Sequence, residues 1–158
     1  MSGPETNSSD GHDWEVELQR HHSSQLELCN RLENLADSLP DNYSPQECLS
    51  ISWSLFPVIK AAHQFEECVL FPKLIAFKDE NLRVTKSIER LKFEHWEDES
   101  FAEELSTALK QLISNSETAN IEKLAYMLRG FFEGLRRHIA FEAEYILPLL
   151  HSQAARGR

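Results

Sequence analysis

Apolar residues recur every three or four positions along four separate stretches of the chain and nowhere in strict alternation, so the pattern predicts helices and no strands. The most regular stretch is Leu82–Ser114. There Val84, Ile88, Leu91, Ala102, Leu105, Leu109 and Leu112 share one helical face with His95 and Asp98. A first helix is expected over Asp13–Ser38, with Asp13 as N-cap and the turn LPDNYSP behind it. A second follows Ser44 and Pro45, an N-cap and a residue suited to the first helical position, with Glu47 in the first turn; Pro57 should kink or split it. The fourth is expected from near residue 118 to near residue 151, with the stripe Phe131, Leu135, Ile139, Ile146 and Leu149. Four helices with short connections pack most simply as an antiparallel up-down-up-down four-helix bundle, which makes the predicted fold class all-α. The expected organisation is a disordered leader over 1–12, the bundle over 13–152 and a tail over 153–158.

A chain of 158 residues fits one domain and is long enough to bury about 70% of its unfolded surface. Its 26 acidic and 16 basic residues give a formal net charge of −10, which argues against nucleic acid or an anionic membrane surface as partner. Three cysteines, Cys29, Cys48 and Cys68, show no CxxC spacing, and no apolar signal region follows the start. No apolar run long enough to span a bilayer is present, and a cytoplasmic location is expected. Cys68 follows Glu67 directly and invites a redox reading, but no basic neighbour lowers its pKa, so a buried inert thiol is expected. Phe65, Phe93, Trp96, Phe131 and Phe132 are expected to pack the core.

Within the fourth stripe, His138 and Glu142 occupy positions where leucine would be expected. Burying an imidazole and a carboxylate in an apolar seam costs several kcal/mol unless each finds a partner, and a metal ion is one such partner. The same spacing recurs as His63 with Glu67 and His95 with Glu99, while His21 and His22 place a histidine on the first helix. Residues four apart lie one turn apart on one face, so each pair can converge on a metal ion. Imidazole with carboxylate suits iron, zinc or manganese without thiolate. The residues three before His63, His95 and His138 are Lys60, Lys92 and Leu135, so the Glu-x-x-His pattern of ferritin-like bundles is absent, as is HExxH. No nucleophile or substrate pocket is legible, and catalysis is left open. The contrasting reading is a metal-free acidic helical interaction module, with satisfied core histidines and a solvated acidic face over Glu97 to Glu104.

The segments EHWEDESFAEEL, AAHQFEECVLFP and RRHIAFEAEYILP, with HH ahead of QLELCNRLENL, resemble the hemerythrin-like (HHE cation-binding) domain family. The resemblance covers nearly the whole chain from Asp13 to His151, and H-x3-E followed by an apolar run and proline is its most specific part. It implies a four-helix bundle around two non-haem irons, bridged by oxo or hydroxo groups and by carboxylates, with zinc or manganese less favoured. It implies His138, His95 and His22 as terminal ligands and Glu142 as a bridge, with dioxygen or nitric oxide as the small diatomic ligand. Counting back from the proline of VLFP, the family's second-helix histidine falls on Ala62 and its carboxylate on Glu66, so His63 is displaced by one residue. Either His63 reaches in from the edge with Glu66 or Glu67 beside it, which is favoured, or this helix supplies only a carboxylate. His22 fits the family's spacing better than His21, while a role for Asp98 or Glu99 and the choice between one metal and two stay open.

Overall fold

The computed structural model describes residues 13–76 and 82–156, so the expected leader over 1–12 lies outside the described residues. Among the described residues all regular structure is helical. Helix α1 spans Asp13–Ser38. A second rod consists of α2 (Pro45–Phe65), a π-helical turn over Glu66–Leu70 and α3 (Phe71–Ile75). Helix α4 covers Leu82–Ser114. A last rod joins α5 (Ile121–Phe141), a second π turn over Glu142–Ile146 and α6 (Leu147–Arg156), which runs on into the stretch expected as tail.

The rods form a ring in which α1 packs on α2 and α5, and α4 packs on the same two helices. Pairs between α1 and the last rod fall in opposite order along the two elements: Glu15 with His151, His22 with Glu142, Cys29 with Phe132 and Asp37 with Arg129. The same order links the second rod to α4, through Ser52 with Ser106, Lys60 with Glu99 and Glu67 with His95.

Two apolar clusters fill the interior. The larger includes Cys29, Leu32, Leu55, Ile59, Ala102, Leu105, Leu128, Phe132 and Ile139. The smaller, towards one end, includes Leu18, Phe65, Leu70, Leu74, Ile88 and Leu150. Each rod therefore passes from one cluster to the other through a short interval; the buried His22, His63, His95 and Glu142 lie in those intervals, and the buried Glu66 directly follows Phe65 of the smaller cluster. Burial of the flanking leucines and isoleucines, worth about 1.5–3 kcal/mol for each fully buried side chain, anchors the rods on both sides of the polar layer.

Several local expectations are revised. Pro57 neither splits α2 nor ends it; the residue is exposed and the helix continues to Phe65. The interruption comes at Glu66 instead. Helix α5 begins at Ile121, because the Asn120 side chain caps it by accepting from the Lys123 N–H at 3.0 Å. Leu150 is buried while Leu149 is exposed. The π turn ahead of them carries more residues per turn and so delays the inward face by one position. Cys68 is exposed, since two helical steps carry it to the side opposite the buried Glu66. Phe93 and Trp96 flank buried His95 on α4 and face solvent, whereas Phe65, Phe131 and Phe132 are in the core as expected.

Candidate metal centre

The polar layer is positioned by two matching backbone devices. Glu66 and Glu142 each open a π turn, with the N–H of Phe71 donating to the Glu66 carbonyl and that of Leu147 to the Glu142 carbonyl. Each glutamate stands six residues before a proline, Pro72 and Pro148. A proline has no N–H to donate, and its ring crowds the carbonyl four residues back in a regular helix, so a wider turn just before it relieves the conflict. One sequence pattern, Glu-x5-Pro, thus delivers two buried carboxylates from facing sides of the bundle.

Those carboxylates meet imidazoles from three of the four rods, α1, α4 and the last. His95 Nε2 lies 2.6 Å from Glu66 Oε2, and His138 Nε2 lies 3.5 Å from the same oxygen. His138 Nε2 also contacts Glu142 Oε1. The second oxygen of Glu142, Oε2, accepts from His22 Nε2 at 3.0 Å. Ligand atoms of Glu66, His95 and His138 all lie within 4.8 Å of one another. His63 stacks on His95, with ring centroids 3.9 Å apart, and is itself buried.

Two of the histidines are held from behind. Nδ1 of His95 donates to Glu67 Oε1 at 2.8 Å, and Nδ1 of His63 donates to Glu99 Oε1 at 3.0 Å. The other Glu99 oxygen accepts from Lys60 Nζ at 3.0 Å. A hydrogen bond of this kind fixes one ring nitrogen as the proton carrier and leaves Nε2 for the interior, an arrangement typical of metal-ligating histidine.

The inward atoms lack partners. Nε2 of His63, His95 and His138, Oε2 of Glu66 and Oε1 of Glu142 are buried with no hydrogen bond of acceptable geometry, although several lie close together. Close approach without hydrogen-bond alignment is what ligand atoms show when they point at a shared centre rather than at each other. Four imidazoles and two carboxylates, with no thiolate, fit a transition metal such as iron.

Among the protein groups alone, charge is balanced by protons. Burial opposes the imidazolium form of His138, but the Glu142 and Glu66 carboxylates outweigh it and push His138 up to about 11. His95 is also raised, Glu66 and Glu67 prevailing over burial. Glu66 is held below the usual carboxylate range by His138 and His95 despite its burial. Burial and the neighbouring His95 drive His63 down to about 4, so it stays neutral.

The sequence profile of the hemerythrin HHE cation-binding domain matches residues 16–150. The chain belongs to the hemerythrin family. No curated protein and no solved structure is detectably similar to it. Hemerythrin domains bind metal ions, typically iron, and this chain carries a His/Glu group able to hold one.

Of the residues expected in the hemerythrin centre, the structure brings together His22, Glu66, His95, His138 and Glu142, with His63 stacked against the group. Glu67 is half-exposed and sits behind His95 rather than among the inward atoms. His21 is turned aside, 4.0 Å from Glu17 and against the ring of Phe65. Glu99 supports His63, while Asp98 is half-buried beside His138, its carboxyl raised by burial. Lys60 and Gln25 carry no expectation from the sequence. Gln25 announces itself only as an amide in the α1 stripe Leu18, His22, Cys29, Leu32, at a position an apolar residue normally fills. Among the described residues no helix is long and apolar enough to cross a membrane.

Proposed function

We propose that this hemerythrin-domain protein holds two non-haem irons, bridged by carboxylate and by oxo or hydroxo groups, and uses them in the cytoplasm to bind or sense dioxygen, nitric oxide or redox state. The observation that carries the reading is the convergence of Glu66, His95 and His138, with buried inward atoms that no protein group satisfies. A second position is supported by Glu142, whose two oxygens meet His138 and His22, one each, as suits a carboxylate shared by two cations. His63 Nε2 is the further free donor on that layer.

An iron pair supplies reversible electron exchange and an open position for a diatomic ligand. The chain's own residues do the rest. Glu66 and Glu142 neutralise the cations, the imidazoles complete the set without adding charge, and Glu67 and Glu99 fix ring orientation. The apolar clusters above and below the layer exclude water. A groove of about 860 Å³, lined by Leu91, Asp98, Phe141 and Tyr145 among others, reaches His138 from solvent and offers the entry path. An up-down-up-down course belongs to the same reading and is supported by the opposite order of the paired residues along the rods.

Metal content per chain, measured by plasma mass spectrometry on untagged protein reconstituted anaerobically, tests the proposal. A value of about two irons is expected. Folded protein that takes up no iron would leave only the metal-free acidic scaffold.

A further inference from the structure

Gln25 lies on the inner face of α1, three residues after His22 and four before Cys29, and is fully buried. Neither its amide nitrogen nor its oxygen has a hydrogen-bond partner. A buried primary amide with both polar ends unsatisfied carries a full desolvation penalty and is rarely retained without a partner.

The register says where that partner lies. His22 meets Glu142 and Cys29 meets Phe132, so Gln25, between them on α1, stands level with the turn of the last rod that carries His138. On the Cys29 side the interior is apolar, with Leu28, Leu32 and Leu135 in the larger cluster. On the His22 side is the His/Glu layer. Seven buried side-chain atoms lack partners among the described residues: five belong to His63, Glu66, His95, His138 and Glu142, and the other two are the amide atoms of Gln25. The amide shares with those five atoms the lack of any protein partner and stands within one helical turn of His22, although glutamine amides are poor competitors for a metal already offered imidazole and carboxylate.

We infer that Gln25 donates a hydrogen bond from its NH2 group to a small anionic or water-derived ligand held at the proposed metal pair, and thereby sets the affinity for that ligand. The inference rests on the metal-binding reading above. Gln25 acts as a positioning and selectivity residue: it strengthens the hold on ligands that carry or develop negative charge, because a donor aimed at an anion in a water-poor site is worth more than one aimed at a neutral molecule.

The test uses Gln25→Met, close in shape and without a donor, and Gln25→Leu as a second variant. Each is loaded with iron beside the wild type, and sodium azide is titrated in by visible absorption. The expected result is unchanged iron content, an azide dissociation constant raised about tenfold, and no fall in the melting temperature of the iron-free chain, since the amide leaves no protein group unpaired. Wild-type azide affinity in both variants overturns the inference while leaving the iron reading intact. So does loss of iron from both variants with the fold preserved, which would place Gln25 among the metal's own ligands, and so does iron-loaded wild type that binds no azide. Wild type that takes up no iron overturns both.

Discussion

His22 and Glu142, 120 residues apart in sequence, meet in the core with Nε2 and Oε2 at 3.0 Å, while the other oxygen of Glu142 faces His138. One carboxylate thereby ties α1 to the last rod and stands between two imidazoles. A group in that position has to hold charge on both sides.

Replacing Glu142 by Ala should therefore remove both contacts at once. Iron content should fall to well below one per chain, and His138→Ala should do the same. Glu142→Gln keeps the shape and one hydrogen bond to His22 but loses the charge that balances a cation. It should lower metal content while sparing helicity in circular dichroism. Full iron loading in Glu142→Gln would show that Glu142 is structural.

Glu66 and Glu67 are neighbours in sequence with different duties. Glu66 is buried with His95 and His138 on its Oε2 side, whereas Glu67 is half-exposed and holds Nδ1 of His95 from behind. Glu66→Gln should abolish loading. Glu67→Gln should retain the metal with affinity weakened about 10–100-fold, the cost usual for losing a group that orients a ligand. Competition with a zinc chelator measures both, and equal losses would contradict the division of roles.

The three cysteines should separate cleanly by environment. Burial pushes Cys29 and Cys48 up to about 11, while Cys68 is exposed. One fast-reacting thiol per folded chain is expected with an aromatic disulfide reagent at mildly alkaline pH, and three in denaturant. Cys68→Ser should abolish the fast phase without changing iron content. Rapid reaction at all three would mean that the core opens readily.

The long stripe of α4 was readable from sequence because nine positions repeat it, and His95 is found buried where the stripe puts it. His22, His138 and Glu142 were legible for the same reason, as polar residues interrupting apolar faces. The π turns are not, because hydrophobic spacing assumes a constant angle per residue, an assumption that puts Leu149 rather than Leu150 inside. The paired Glu-x5-Pro segments were the available signal. Gln25 is not legible in the sequence, since one polar residue in an apolar stripe carries no signal until its lack of partners is visible. His63 shows a further limit: its displacement from position 62 says where its backbone lies, whereas its stacking on His95 depends on a second helix.

The pH dependence should follow from His138, which the two carboxylates hold at about 11 against an ordinary value of 6.5. A raised folded-state pKa stabilises the fold fully below 6.5, and the stabilisation is lost as pH rises through 11. The iron-free chain should therefore melt at progressively lower temperature across that window, and His138→Ala should show a shallower decline. A metal ligand must shed this proton, so cation and proton compete and uptake releases protons to solvent. Zinc, which has no redox chemistry to complicate the reading, should bind more tightly as pH rises from 6 to 8, by up to about tenfold per pH unit for each proton displaced. Calorimetric titration in buffers of different ionisation enthalpy counts those protons directly. Affinity independent of pH, with no proton release, would remove His138 from the ligand set and leave its contact with Glu142 as an ordinary buried ion pair.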